Sequence, residues 1–156
     1  MRMMLRHPAH VIAFGAGAGL VPFAPGTAGT LLALPLFWGL AAYCETATLL
    51  VLIALGFGIG IWACGRTGQA LGVPDHGSMV WDEIVAFMLV LVFTPPGTVW
   101  QISAFLLFRL FDIVKPPPIR YYDRKLKSGF GVMFDDLLAA FYTLLVLAAC
   151  KLLIAE

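Results

Sequence analysis

The fold class can be inferred from one stretch of the sequence, Val80-Trp-Asp-Glu-Ile-Val-Ala-Phe-Met-Leu-Val-Leu-Val-Phe93. It places two carboxylates side by side and follows them with ten consecutive apolar residues. The adjacent segment 94–97 contains Pro95 and Pro96, and consecutive prolines stop a helix. We interpret the stretch as an apolar helix that carries charge at one end only.

The composition is typical of a membrane protein. Of 156 residues, 61% are hydrophobic and 12% are charged, and the mean hydropathy is +0.93. Soluble domains have about 45 to 50% apolar and about 25% charged residues. The formal charge of +1 gives no field that would gather nucleic acid, so that class of partner is excluded. The length suits one domain, and we expect residues 1–156 to form a single integral-membrane domain.

The apolar stretches between two charged windows, 66–83 and 109–136, are candidate membrane spans. A span needs about 20 mainly apolar residues, or fewer when charged ends reach the interface. We expect an all-α fold, a compact membrane-embedded helical bundle with about five transmembrane helices and a short or re-entrant N-terminal helix at 10–19. The predicted spans are 28–43, 47–64, 80–93, 98–114 and 134–154.

The basic residues predict the orientation of these spans, because Lys and Arg accumulate in cytoplasmic loops. Arg2 and Arg6 precede the first span, Arg66 follows the second, and most of the others lie in the loop before the last span. Five spans put all of these residues on one side, with the N-terminus inside. A cleaved signal peptide over residues 1–29 is the alternative, but its apolar part has almost no leucine and a second apolar run follows at once.

This topology brings five acidic residues to one membrane face. They are Asp82, Glu83, Asp112, Asp135 and Asp136. Charges within a span are costly and usually mark function, and carboxylates this close repel one another unless a cation lies among them. Because Mg²⁺ prefers oxygen ligands and is often shared with a substrate phosphate, we predict that some of these five bind Mg²⁺. The alternative is that they pair with nearby arginines and only terminate helices.

Basic residues accompany the acids. On a helix, Arg109, Asp112 and Lys115 would lie within one arc and point at one site, and Arg120 and Arg124 follow a run of prolines. Cations beside carboxylates suit a phosphate ester bound to metal and guanidinium. We therefore predict that Arg109, Lys115, Arg120 and Arg124 bind substrate. The alternative is a positive loop that binds anionic lipid headgroups.

Two further segments are candidates for the same site. Thr27, in a glycine-rich stretch before the first span, is predicted to be an N-cap and to form an anion-binding helix start. His76 is predicted to act as a general acid or metal ligand, although a loop histidine often only caps a turn. GxxxG spacings at 15–19 and 56–60 predict close helix packing and leave a homo-oligomer open.

The residues alone favour metal-assisted phosphate-ester hydrolysis, with Asp82, Glu83, Asp112, Asp136 and His76 as the catalytic set. A metal-activated water would attack in line, and an aspartate nucleophile is the alternative. His76 or Asp75 would relay a proton to the leaving oxygen. A small multi-pass carrier or channel, or a non-catalytic assembly subunit, is the alternative function. The charges gather at one end and no internal repeat is present, which disfavours a carrier.

Four segments resemble the phosphatidylglycerophosphatase A family, in family order and across residues 24–139. They are Ala24-Pro-Gly-Thr-Ala-Gly-Thr30, Asp75-His-Gly-Ser-Met-Val-Trp-Asp-Glu-Ile-Val85, Phe108-Arg-Leu-Phe-Asp-Ile-Val-Lys-Pro-Pro-Pro-Ile-Arg120 and Gly129-Phe-Gly-Val-Met-Phe-Asp-Asp-Leu-Leu-Ala139. The resemblance implies an Mg²⁺-dependent lipid phosphatase of the bacterial inner membrane, with its active site at the cytoplasmic face. Its substrate would be phosphatidylglycerophosphate and its lipid product phosphatidylglycerol. Ala86 and Ser128 stand where the family usually has Gly, and Pro117 stands where it has Trp.

Overall fold

The computed structural model describes residues 3–154, and within them every regular element is helical. Two short 3-10 helices, Met4–Arg6 and Gly15–Leu20, accompany seven α-helices. The α-helices are α1 (Pro8–Ala13), α2 (Pro25–Ala41), α3 (Thr46–Leu71), α4 (Trp81–Phe93), α5 (Thr98–Val114), α6 (Ile119–Lys125) and α7 (Gly129–Ile154). The all-α prediction is confirmed.

Helix α4, which contains the ten consecutive apolar residues, lies at the centre of the bundle. It packs against α2, α3, α5 and α7, and eight of its thirteen residues are buried. A helix that is apolar on all sides can be accommodated only in this way. Phe87 of α4 and Phe108 of α5 are fully buried and stack at 5.4 Å between ring centroids. The central position of α4 fixes the place of the two acids in its first turn.

The close contact between α3 and its neighbours depends on Gly60. A methyl group at this position would lie 2.4 Å from Met133 Sδ of α7 and 2.8 Å from Trp81 Cδ1 of α4. The Trp81 indole donates a hydrogen bond to the Gly56 carbonyl at 2.9 Å, which holds α4 against α3. Close packing is therefore confirmed for the glycine pair 56–60, as expected for small residues at a helix interface.

The helix boundaries differ from the predicted spans in places. α3 continues past Cys64 to Leu71 because Thr67 and Gly68 are buried against neighbouring segments, and it ends where Gly72 adopts a left-handed conformation. α7 begins at Gly129, before the predicted start at residue 134, and α6 forms in a segment that we expected to be a loop. Pro118 immediately precedes α6, where its missing N–H costs nothing.

The N-terminal segment is broken rather than one helix over 10–19. α1 ends at Ala13, and the glycine-rich part continues as a 3-10 helix with positive φ at Gly15, Ala16 and Gly17. The Val80 N–H donates to the Ala13 carbonyl at 2.8 Å, so the segment is tied to the start of α4. It packs on the bundle through α3 and α4.

Two helices, α3 and α7, are long and apolar enough to cross a bilayer. In the most apolar part of each, only 28% and 22% of the residues are buried, so neither is the core helix of a soluble domain. Large apolar side chains also face outward from α2 and α5, among them Trp38, Ile102 and Leu106. Helix α2 is apolar but shorter, with 17 residues. The number of five spans stays a prediction.

Candidate active site

Four helix ends meet at one end of the bundle, and three of them carry the acidic residues. They are the first turns of α2 and α4, the last turns of α5 and the early part of α7. The sequence predicted that its five acids converge at one end, and the structure brings them together in two neighbouring clusters.

The first cluster contains Asp82, Glu83 and Asp136. One carboxylate oxygen of each lies within 4.8 Å of the other two. Asp82 is 6% exposed and Asp136 is 3% exposed. Among the described residues, Asp82 Oδ1, Glu83 Oε2 and Asp136 Oδ2 are buried without a hydrogen-bond partner. Buried acceptors with no donor are rare in folded proteins, and a bound cation or protonation of the carboxylates would satisfy these three oxygens.

Arg109 is the one basic side chain that reaches this first cluster within residues 3–154. Its Nη1 lies 2.5 Å from Asp112 Oδ2 and 3.7 Å from Glu83 Oε1. Asp112 in turn lies beside Asp136. Four carboxylates therefore face one guanidinium, which leaves a formal excess of three negative charges if all are ionised. Such an excess in a buried site requires additional positive charge or protonation.

The donor set fits Mg²⁺, the metal that the sequence predicts. The ion takes oxygen ligands at about 2.1 Å, so oxygens on opposite sides of it are about 4.2 Å apart. The oxygens of Asp82, Glu83 and Asp136 lie within 4.8 Å of one another and need only a small side-chain adjustment. No thiol or imidazole belongs to either acidic group that the structure shows in residues 3–154, which favours a hard cation over zinc.

The second cluster contains Asp75, Asp123 and Asp135, again with oxygens within 4.8 Å. Lys115 neutralises it through a hydrogen bond to Asp123 at 3.1 Å and a short ion pair with Asp135. Burial favours the neutral amine, but the Asp135 carboxylate outweighs it and holds the pKa of Lys115 above its usual value. Lys115 thus contacts two of the three carboxylates in this cluster, whereas Arg109 contacts only Glu83 among the three central acids of the first cluster.

The prediction that Arg109, Asp112 and Lys115 point at one site is therefore wrong for Lys115. Helix α5 ends at Val114, and Lys115 adopts a left-handed conformation with φ 46° before Pro116. A residue that precedes proline is disfavoured in the helical region, so Lys115 leaves the helical arc. Its side chain turns to Asp135, and the neighbouring residues Asp135 and Asp136 serve different clusters.

The start of α2 approaches the first cluster through Gly26. A methyl group on Gly26 would lie 2.2 Å from Glu83 Oε1 and 3.0 Å from Arg109 Nη2. Only glycine permits the backbone to come this close. The N–H groups in the first turn of a helix have no partner within the helix and carry partial positive charge, so this helix end adds to the charge of Arg109.

Thr27 is not the N-cap that the sequence predicted. The N-cap is Ala24, in a left-handed conformation, and Thr27 lies half-buried within the first turn. Pro25 occupies the first helical position, where its fixed φ and missing N–H are favourable. The hydroxyl that contacts the site is instead that of Thr30, which donates to the Gly26 carbonyl at 2.9 Å and accepts from Arg109 Nη1 at 3.5 Å.

The remaining predicted residues lie outside both clusters. His76 is in an exposed turn next to Asp75, and its Nδ1 accepts a hydrogen bond from the Ser78 N–H at 3.2 Å. Arg120 and Arg124 are exposed on α6, and neither forms an ion pair with another described residue. The structure does not bring these three into contact with the unpartnered acids, so their roles stay predictions.

Thr30 and Asp123 contribute to the site although they are not among the residues predicted from the sequence. Thr30 could have been found, because it is four residues after Gly26 on the same helix face and ends the glycine-rich motif. Asp123 lies beyond a proline turn whose path no periodic pattern gives, and only the fold places it beside Lys115.

Comparison with known proteins decides the family. Residues 11–151 match the sequence profile described as PgpA, Phosphatidylglycerophosphatase A. The chain belongs to the phosphatidylglycerophosphatase A family. The resemblance found in four segments of the sequence is thereby confirmed.

Curated relatives of this family cover nearly the whole chain. A phosphatidylglycerophosphatase A of Haemophilus influenzae is 45% identical over 151 residues, which cover 96% of this chain and 93% of the relative. That of Escherichia coli is 40% identical over 139 residues, which cover 88% and 80%. A Bacteroides thetaiotaomicron protein with the provisional name phosphatidylinositol-3-phosphatase is 39% identical over 151 residues, which cover 90% and 92%. No solved structure matches the chain. The phosphatidylglycerophosphatase A family is a family of enzymes, and the carrier alternative loses its support.

Proposed function

We propose that this protein hydrolyses the phosphomonoester of phosphatidylglycerophosphate to phosphatidylglycerol and inorganic phosphate, with Mg²⁺ as cofactor. The observation that carries the proposal is the buried group of Asp82, Glu83 and Asp136, with unpartnered oxygens beside Arg109. A phosphomonoester is dianionic and suits a site that combines a cation with a guanidinium. The names of two relatives supply the lipid.

The proposed location is the bacterial inner membrane, with five spans and the active site at the cytoplasmic face. The outward apolar faces of α3 and α7 support an embedded bundle, and the basic loop around α6 supports the orientation. In a cysteine-free background, a membrane-impermeant maleimide should label Glu45→Cys in intact spheroplasts. It should label Lys125→Cys only after permeabilisation. The opposite pattern would contradict this orientation.

The mechanism assigns separate tasks to the two parts of the first cluster. Asp82, Glu83 and Asp136 would hold Mg²⁺, which when bound supplies Lewis acidity toward phosphate and water. Arg109 is held by Asp112 on α5 and by Thr30 on α2, so its guanidinium is already oriented when substrate arrives. A fixed guanidinium stabilises charge on the phosphoryl oxygens without reorganising during the reaction.

The N–H groups at the start of α2 face the same region, because Gly26 lies against Glu83 and Arg109. They would donate hydrogen bonds to the phosphoryl oxygen that Arg109 does not reach. Water is the proposed nucleophile, because the three central carboxylates are needed to hold the cation. A reaction quenched with acid should then leave no phosphate covalently attached to the protein. An aspartate nucleophile would instead leave an aspartyl phosphate on the protein.

Phosphate release tests the function directly. Purified protein in detergent micelles should release inorganic phosphate from phosphatidylglycerophosphate with Mg²⁺, and a chelator should reduce the rate to background. Phosphatidic acid and phosphatidylinositol 3-phosphate belong in the same assay, because both also present a phosphomonoester. Release that survives the chelator would refute the metal, and faster release from one of the other lipids would refute the assigned substrate.

A further inference from the structure

A cavity of about 270 Å³ lies between α3, α4 and α7 and is lined entirely by apolar residues. Its lining includes Ile53, Ala54 and Phe57 of α3, Val85 and Ala86 of α4, and Met133 of α7. The proposed chemistry does not use any of these residues. An apolar cavity of this kind stays free of water and accepts an apolar occupant.

The cavity continues the face of the helices that carries the unpartnered acids. On α4, Val85 and Ala86 follow Asp82 by three and four residues and so lie on the same face, about one turn away. On α7, Met133 precedes Asp136 by three residues. Two helices thus present a carboxylate and an apolar wall on one continuous seam, and α3 closes the seam through Ile53 and Phe57.

The rim and the floor of the cavity differ in exposure. Ile53, Val85, Ala86 and Met133 are buried, whereas Ala54 at the rim is exposed. The neighbouring outward residues of α3, such as Leu55 at 58% exposure, are apolar as well. In a bilayer this rim would open to hydrocarbon and not to water.

The two larger apolar cavities extend toward the opposite end of the bundle. One is lined by residues at the far ends of α5 and α7, including Ile154, and another by residues near Pro95 and Lys151. Lys151 follows Asp136 by 15 residues along α7, which is about 22 Å of helix. Among the cavities found in residues 3–154, the one between α3, α4 and α7 has lining residues within one helical turn of both Asp82 and Asp136.

We propose that this cavity binds an acyl chain of the lipid substrate while the phosphate lies at the acidic cluster. The inference rests on the proposed function and adds a binding site to it. Along α4, the two acids are followed by the apolar wall of the cavity, in the same order as the headgroup and the chain of a phospholipid. Binding energy from a part of the substrate that does not react would then hold the phosphate in place.

A substitution at the rim tests the proposal. Ala54→Phe should fill the cavity from its exposed side, with little demand on folding. For phosphatidylglycerophosphate with two palmitoyl chains, KM should rise about tenfold, the loss expected when a few methylene groups lose their contacts. With two hexanoyl chains, KM should change less than twofold. Ala86→Leu fills the cavity from α4 and should give the same pattern.

Ala149→Phe is the matched control, because Ala149 is exposed on α7 and does not line this cavity. It adds the same ring at the lipid-facing surface and should leave both KM values unchanged. Equal effects of Ala54→Phe on the long and short substrates, or no effect on either, would overturn the proposal.

A binding measurement separates this inference from the proposed function. Phosphatidic acid with a diazirine at the middle of one acyl chain should label peptides that contain residues 53–57 or 85–89, and Ala54→Phe should reduce the labelling at least fivefold. Labelling without phosphate release from any lipid would refute the proposed function alone. Phosphate release with labelling confined to other peptides would refute the acyl site alone.

Discussion

Asp136→Asn is expected to lower the rate of phosphate release by about a thousandfold or more while the protein keeps its fold. Asp136 is 3% exposed, and its Oδ2 has no partner among the described residues. Replacing the carboxylate by an amide removes a ligand from the cation site, and loss of one group that stabilises transition-state charge costs about a hundredfold to a thousandfold by itself. Asp82→Asn should have an effect of the same order, because Asp82 belongs to the same group.

Unlike the activity, the thermal stability of Asp136→Asn should not fall. Three carboxylates within 4.8 Å repel one another, so removal of one charge should leave the unfolding temperature without Mg²⁺ unchanged or higher. Mg²⁺ should raise the unfolding temperature of the unmodified protein, because a ligand that binds only the folded state stabilises it. Asp136→Asn should lose that increase. A large fall in stability without Mg²⁺ would indicate that Asp136 has a structural role instead.

Glu45→Gln is the control for these variants. Glu45 is exposed just before α3 and takes part in none of the acidic groups or ion pairs found in residues 3–154. The substitution Glu45→Gln removes one negative charge at the other end of the bundle. Activity and the Mg²⁺ response should both be retained. A comparable loss in Glu45→Gln would show that the effect of Asp136→Asn does not depend on the position of Asp136 in the acidic cluster.

The sequence was sufficient to predict the five longer helices, α2 to α5 and α7, and the end of the bundle at which the five acids gather. Ten apolar residues after Asp82 and Glu83 require a buried helix, and the double proline after Phe93 requires a turn. Those two constraints return α5 antiparallel to α4 and place Asp112 at the same end as Asp82. Periodicity, charge and breaker residues are local signals, so the elements that they specify could be predicted without a structure.

The division of the acids into two clusters could not be predicted in the same way. Asp135 and Asp136 are adjacent in sequence, yet Asp135 pairs with Lys115, and Oδ2 of Asp136 has no hydrogen-bond partner within residues 3–154. The difference follows from the turn after Val114, where Lys115 leaves the helix before Pro116. The path of a turn, and the side chain that it delivers to a distant helix, depend on tertiary packing and not on local spacing.

Arg109→Met is expected to lower both activity and stability, in contrast to the acid substitutions. The guanidinium lies between Asp112 and Glu83, and the three side chains are 14%, 11% and 12% exposed. Removal of one member of a buried ion pair leaves an uncompensated charge and costs about 3 to 5 kcal/mol. We expect the free energy of unfolding in detergent to fall by about that amount, and phosphate release to fall by about a hundredfold or more, because the phosphate loses its fixed cation.

The contrast between arginine, lysine and methionine at this position separates charge from geometry. Arg109→Lys keeps one positive charge but lacks the planar guanidinium, whose Nη1 contacts Asp112, Glu83 and Thr30, so it should recover part of the stability and little of the activity. Arg66→Met removes an exposed arginine from α3 and should change neither stability nor activity by more than experimental error.

In an Asp112→Asn background, Arg109→Met should cost less stability than it does alone, because the two residues share one interaction. Equal stability losses in Arg109→Met and Arg66→Met would show that the guanidinium does not hold the acids together, and the assignment of Arg109 as the cation of the first cluster would then be wrong.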